Sequence, residues 1–195
     1  MSRGTKARGT GNQLRIIGGQ WRGRKLSFTP IEGLRPTGDR VRETLFNWLS
    51  PHIHGARCLD LFAGSGALGL EALSRGAASC DFVDRDRATL KQIQDHLHTL
   101  DAGERGHGHN CTAHDYLASG HTPWDIVFID PPFGQNLVSP TCEAMAKANL
   151  VAENGLVYIE TGTRESQPEF PDNWHLHREK TAGEVSYRLF IVGPA

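Results

Sequence analysis

The sequence predicts an α/β protein: a mostly parallel seven-stranded sheet with helices on both faces and a C-terminal antiparallel hairpin, preceded by a small basic extension of short strands and one helix. Three observations lead there. From residue 55 onward, short apolar runs alternate with stretches of helical periodicity, the pattern of βαβ units. The first of those runs ends in a Gly-rich turn that opens a helix. The charge also changes sign along the chain: residues 1–42 hold ten Lys and Arg against two acids, a net +8, whereas residues 43–195 hold eleven against twenty, a net −9.

The 195 residues, 38% hydrophobic and 22% charged, suit one domain with a modest extension and can bury a sizeable core. Residues 1–12 are Gly, Arg, Lys, Thr and Ser without apolar periodicity, which predicts a disordered basic tail. Residues 13–51 form the basic extension. Within it, Leu14 to Ile17, Gly18-Gly19, Trp21 and Leu26 suggest short strands joined by a turn. Thr37, after Pro36, is a candidate N-cap, and Val41, Leu45, Trp48 and Leu49 recur at helical spacing, so residues 38–49 read as an amphipathic helix closed by Pro51. Residues 52–195 form the main domain. Strands are predicted at 57–61, 79–83, 108–112, 125–129 and 156–160, and helices at 67–75, 86–100, 113–118 and 139–149. From Trp174 to Lys180 and from Val185 to Val192 the residues alternate like two strands joined by a turn at Gly183.

No apolar run approaches the roughly 18 residues of a membrane span, and the first residues lack the apolar stretch of a secretion signal. A soluble, cytoplasmic protein, monomeric and without membrane contact, is expected. Cysteines 58, 80, 111 and 142 lie too far apart for zinc or redox pairs, and read as small core residues in a reducing compartment. The ten histidines include four His-x-His pairs, but without acids or thiols at ligand spacing they are expected to titrate in solvent, and no metal is expected. The basic arm is the pattern of a chain that meets a polyanion, since each cation that neutralises a phosphate releases counterions.

Asp60 to Gly69 leaves a strand, makes a Gly-x-Gly-x-x-Gly turn at 64, 66 and 69 and enters a helix. Such a turn lets backbone amides approach a ligand. Asp84 ends the next strand, where a carboxylate would meet ribose hydroxyls. NAD and S-adenosylmethionine both fit to this point. Asp60 separates them: its carboxylate would repel a pyrophosphate but can pair with a methionyl ammonium.

The most specific signal is Asp130-Pro131-Pro132-Phe133 at the end of the strand 125–129. Pro131 forces Asp130 out of the α region, and two fixed φ angles stiffen the turn. The Asp130 carboxylate and the Pro131 carbonyl then offer two acceptors to one exocyclic amine of a nucleobase, on whose ring Phe133 can stack. The same acceptor pair would serve guanine N2 or, in DNA, adenine N6.

Together these motifs resemble the Rossmann-like, S-adenosylmethionine-dependent class I methyltransferases that modify exocyclic amines. Leu14 to Leu26, Arg35 to Leu49, Leu176 to Lys180 and Tyr187-Arg188-Leu189 narrow the resemblance to the RsmD family, over about residues 13–191. That family methylates guanine N2 in bacterial 16S ribosomal RNA. The resemblance implies a cofactor site built from Asp60, Phe62, Ala63, Gly64, Ser65 and Gly66, with Asp84 and Arg85 at the ribose. Such enzymes often carry Asp-Ala after the third strand to hold adenine; this chain departs from that and reads Thr112-Ala113-His114-Asp115, which leaves Thr112, Ala113 or Asp115 for the adenine contacts. Asp130 would face both cofactor and amine, with Pro131 and Phe133 completing the catalytic corner. The implied partner is 16S ribosomal RNA within a small-subunit particle, gripped at its phosphates by Arg15, Arg22, Arg24, Lys25, Arg35, Arg40 and Arg42.

Overall fold

The computed structural model describes residues 12–29 and 37–195; the expected tail up to residue 11, and Arg35, lie outside the described residues. The chain runs β1 (Asn12–Arg15), β2 (Lys25–Phe28), α1 (Asp39–Leu49), β3 (Arg57–Asp60), α2 (Ala67–Ser74), β4 (Ser79–Asp84), α3 (Arg87–Thr99), β5 (Gly106–Asn110), α4 (Ala113–Ala118), β6 (Trp124–Ile129), α5 (Val138–Lys147), β7 (Val151–Gly162), β8 (Trp174–Ala182) and β9 (Val185–Val192). Strands β3 to β9 form one seven-stranded sheet in the order β5-β4-β3-β6-β7-β9-β8. Its β3–β7 core is parallel, and β9 runs antiparallel between β7 and β8.

Successive side chains of a strand point to opposite faces, and in a doubly covered sheet both faces are apolar. One face carries Cys58, Phe82, Ile126, Phe128, Leu156 and Tyr158 under α1, α2 and α3. The other carries Leu59, Val83, Val127, Ile129, Val157 and Ile159 under α4 and α5. Leu14, Ile16, Trp21, Leu26 and Phe28 of the β1–β2 ribbon belong to the first cluster, so the basic extension shares the core of the sheet. Gly69 permits the close approach of α2: a Cβ there would lie 2.3 Å from the Phe82 ring and 2.8 Å from the Cys80 sulfur.

Several expectations are displaced, each for a physical reason. Strand β5 lies at 106–110 rather than 108–112; a Gly-His-Gly-His sequence has no apolar alternation to fix its ends. Strand β7 begins at Val151 rather than residue 156, because a bulge opposite Trp124 and Ile126 lets it start early. Thr37 does not cap α1. Gly38 holds the N-cap position and no side chain bonds the first amides. His96 is not in solvent either: it is buried, with Nε2 donating to the Ser27 carbonyl at 3.0 Å. His109 is half-buried and 3.0 Å from Asp81.

Arg42 corrects the reading of the arm. Grouped by sequence with the phosphate-contacting cations, it is 1% exposed. Its guanidinium donates to the carbonyls of Thr37 (3.3 Å) and Arg15 (2.9 Å) and to Asp39 (2.6 Å), and lies 3.5 Å from the fully buried Glu71 of α2. Glu71 in turn accepts from the amides of Ile17 (3.0 Å) and Gly18 (2.9 Å) and from Arg75 (2.8 Å). Three hydrogen bonds and the Arg42 guanidinium thus surround this carboxylate, which is how a buried charge is offset. Sequence could not separate Arg42 from the other cations of the arm, because the buried acid that claims it is 29 residues downstream.

Candidate active site

The strand order reverses between β3 and β6, which lie side by side with Asp60 opposite Phe128. Ligands of open α/β sheets bind outside the carboxyl ends of the strands at such a point. Here a cavity of about 790 Å³ opens there, lined by Asp60 from β3, Asp84 from β4, Asp130 after β6 and Glu160 from β7. That volume lies in the range of small-molecule sites. Phe62, Ala63, Gly64, Ser65, Arg85, Thr112, Ala113, Pro131 and Phe133 also line it. Gly66 does not. It is buried, takes φ 78° as N-cap of α2, and a Cβ there would meet Ile93 at 3.1 Å; it turns the chain and admits α3.

The acids are held from below by backbone. Asp60 is 2% exposed and accepts from the Gly69 amide at 3.0 Å; burial nevertheless pushes its carboxyl up to about 7. Asp84 accepts from Gly64 (3.0 Å) and from Asp86 (2.8 Å), so the Gly-rich turn is tied directly to the carboxylate 20 residues on. Burial raises the Asp84 carboxyl too, against those two amides. Thr112 caps α4 through the Asp115 amide at 3.1 Å.

Asp130 keeps partial access to solvent through the cavity mouth. Burial of its surroundings, then the negative charges of Glu160 and Asp60, hold its carboxyl well above the usual range. Pro131 is buried, while Phe133 is half-buried at the rim. The turn is fastened by Glu165, which accepts from the Gly134 amide and, at 2.9 Å, from Gly162 at the end of β7. Thr37 Oγ1 lies 3.3 Å from Asp130 and 3.3 Å from Glu160. Glu160 also accepts from the Tyr158 hydroxyl at 3.1 Å.

Thr37, Glu160 and Glu165 were not among the residues the sequence pointed to. Glu160 had a readable signal: like Asp60 and Asp84, it is an acid ending an apolar strand. Thr37 had none, because the contacts that define it span 93 and 123 residues. Of the expected phosphate contacts, Arg15, Arg22, Arg24, Lys25 and Arg40 are exposed, with Arg15 near Asp39 at 3.7 Å. Among the described residues, no group of three or more His, Cys, Asp or Glu is placed to hold a metal ion, and no helix is long and apolar enough to cross a membrane.

Strand order, Gly turn and acid-lined cavity define a Rossmann-like class I methyltransferase fold. Within that class, the chain belongs to the RsmD family: the family described as Conserved hypothetical protein 95 matches residues 14–191. The chain is 53% identical over 178 residues to Ribosomal RNA small subunit methyltransferase D of Escherichia coli strain K12, covering 91% of this chain and 89% of that protein. It is 46% identical to the Haemophilus influenzae protein of the same name, over 91% of this chain and 93% of that one. The solved yhhF structure from Escherichia coli superposes with a TM-score of 0.86 at 52% identity, covering 93% of this chain and 99% of that chain.

Proposed function

We propose that this protein transfers the methyl group of S-adenosylmethionine to the exocyclic N2 amine of a guanine in 16S ribosomal RNA. The observation that carries the reading is the meeting of Asp60 and Asp130 in one cavity, at the ends of adjacent strands. Five acids line this cavity (Asp60, Asp84, Asp86, Asp130 and Glu160) against one arginine, Arg85. Such a wall suits a cationic cofactor and opposes the pyrophosphate of a dinucleotide. Phe62, Val83 and Leu117 supply the apolar surface an adenine needs.

S-adenosylmethionine supplies an electrophilic methyl on sulfur. The chain does the rest by positioning. Asp60 pairs with the methionyl ammonium, which offsets the cost of its burial, and Asp84 accepts from the ribose hydroxyls with the lone pairs its amide donors leave free. Asp130 and the Pro131 carbonyl take the two N–H groups of the guanine amine, turning the nitrogen lone pair toward the donor methyl. Phe133 stacks on the base at the rim. Holding the reacting atoms about 3–3.5 Å apart in line removes much of the entropic barrier, and a carboxylate at Asp130 stabilises the positive charge that grows on the amine.

The exposed cations Arg15, Arg22, Arg24, Lys25 and Arg40, with Arg35, grip phosphates and set register without reading bases. The ribosomal substrate is consistent with the names of the relatives, with a small-subunit particle supplying the phosphates around the target. All proposed site residues come from one chain, so a cytoplasmic monomer suffices. Asp130→Ala tests the reading. It should bind S-adenosylmethionine by calorimetry with near wild-type affinity and lose methyl transfer to small-subunit RNA by about 100-fold or more; near-normal turnover refutes it. Mass spectrometry of the product nucleoside checks that the methyl lies on guanine N2.

A further inference from the structure

Thr37 reaches the acceptor corner from a part of the chain that sequence assigns to the RNA-binding extension. Its hydroxyl oxygen is equidistant, at 3.3 Å, from Asp130 Oδ2 and Glu160 Oε2. It is 8% exposed and Glu160 is 6% exposed, so both sit largely out of bulk solvent. The hydroxyl has one hydrogen for two carboxyl groups. Its main chain is fixed as well: the Thr37 carbonyl accepts from Arg42, whose guanidinium is held by Arg15, Asp39 and Glu71. A side chain that only had to fill space there would need no hydroxyl.

We propose that Thr37 is a positioning residue for methyl transfer: its hydroxyl bridges Asp130 and Glu160 and holds the two carboxyl groups as one acceptor unit facing the target amine. The inference rests on the reading of Asp130 as the residue that accepts the amine. Through Thr37, the extension that carries the cations also completes the corner where the base is held. The groups facing the pair are Asp60 from β3, Thr37 before α1 and Tyr158 from β7, with Tyr187 of β9 beside Tyr158. Burial and the negative charges of Glu160 and Asp60 oppose ionisation of Asp130, which the Thr37 hydroxyl favours; burial opposes ionisation of Glu160, which hydrogen bonds from Tyr158, Thr37 and Asp130 favour. Removing the Thr37 hydroxyl therefore makes the pair harder to ionise, and removing the Glu160 charge makes Asp130 easier to ionise.

Two variants with opposite expected signs test this, with Thr37→Ser as the conservative control. Single-turnover methyl transfer to small-subunit particles is followed from mildly acidic to alkaline pH, and carboxyl titration is followed by infrared spectroscopy in the cofactor-free protein. Thr37→Val should move the acid limb of the rate profile, and the carboxyl titration, up by about half to one pH unit. It should slow transfer near neutrality about tenfold, while cofactor affinity stays within about twofold. Thr37→Ser should restore the wild-type profile, and Glu160→Gln should move the acid limb down. A wild-type profile in Thr37→Val overturns the inference, as does a uniform loss of rate at all pH values that Thr37→Ser shares. Should Thr37→Val not fold, Glu160→Gln with an unmoved or upward-moving limb overturns it alone. If Asp130→Ala keeps its turnover, the amine assignment itself fails; if it loses turnover while the Thr37 profiles are unmoved, only the bridging role fails.

Discussion

Asp60 is a carboxylate that the folded chain holds at a cost. Its burial lifts the carboxyl from 3.8 to about 7 against the pull of the Gly69 amide. The unfolded chain therefore releases this proton near pH 4 and the folded chain only near pH 7, so wild-type stability falls as pH rises through that window and levels above it. At about 1.4 kcal/mol per pH unit, the ceiling is roughly 4 kcal/mol. Asp60→Asn keeps an acceptor for Gly69 and has no proton to lose. Thermal melts should show it more stable than wild type at pH 8, with the difference shrinking toward pH 4, while S-adenosylmethionine affinity falls tenfold or more. A variant that gains stability equally at both pH values would show that packing, not charge, is relieved. Asp60 and Asp130 were legible in the sequence because each sits beside a local signal, a Gly turn or an Asp-Pro corner, and Asp84 because it ends the strand after that turn. Thr37 was not, since its partners lie 93 and 123 residues away and its local context, after Pro36, reads as a helix cap.

Helix α2 joins the two halves of the molecule. Its first turn follows the Gly-rich loop, Gly69 seats it on Phe82, and Glu71 takes the amides of Ile17 and Gly18 together with Arg42 and Arg75. Glu71→Ala leaves Arg42 buried without its central partner and two amides without acceptors. Breaking such a pair from one side costs about 3–5 kcal/mol, to be read as a lower denaturation midpoint. Amide exchange should rise first in residues 16–28, before the sheet. Gly69→Ala acts on the opposite side of the helix: a methyl 2.3 Å from an aromatic carbon must displace it, for about 1–3 kcal/mol by overpacking, without loss of protection in the ribbon. The helix and its glycines were readable from the Gly-x-Gly-x-x-Gly spacing. The role of Glu71 was not, because an acid in an apolar helix gives no hint of which distant donors will enclose it, and Arg42 was for the same reason grouped with the phosphate contacts.

Across the whole molecule, the charge asymmetry of the sequence becomes a geometric relation. The ribbon carrying Arg22, Arg24 and Lys25 is not a loose tail; the Gln20 amide donates to the Ser74 carbonyl at 2.7 Å, Trp21 donates to the Ser74 hydroxyl at 3.0 Å, and Trp21 is buried in the core. The three cations are exposed, and the ribbon that carries them is tied to α2, whose first turn lines the cavity. A rigid offset is what a register-setting contact requires, because phosphates gripped there fix which nucleotide arrives at the Asp130 corner. Deleting the ribbon would confound this, since Leu14, Ile16 and Trp21 would leave the core with it. Neutralising Arg22, Arg24 and Lys25 together to Ala leaves those apolar contacts in place. Each phosphate contact contributes about 0.7–0.9 to the slope of log affinity against log salt. The triple variant should therefore bind small-subunit RNA more weakly at low salt, with a slope shallower by about two to three units, while its cofactor affinity is unchanged. An unaltered slope would mean that RNA approaches the cavity over another surface, and that the positive ribbon faces solvent in the complex.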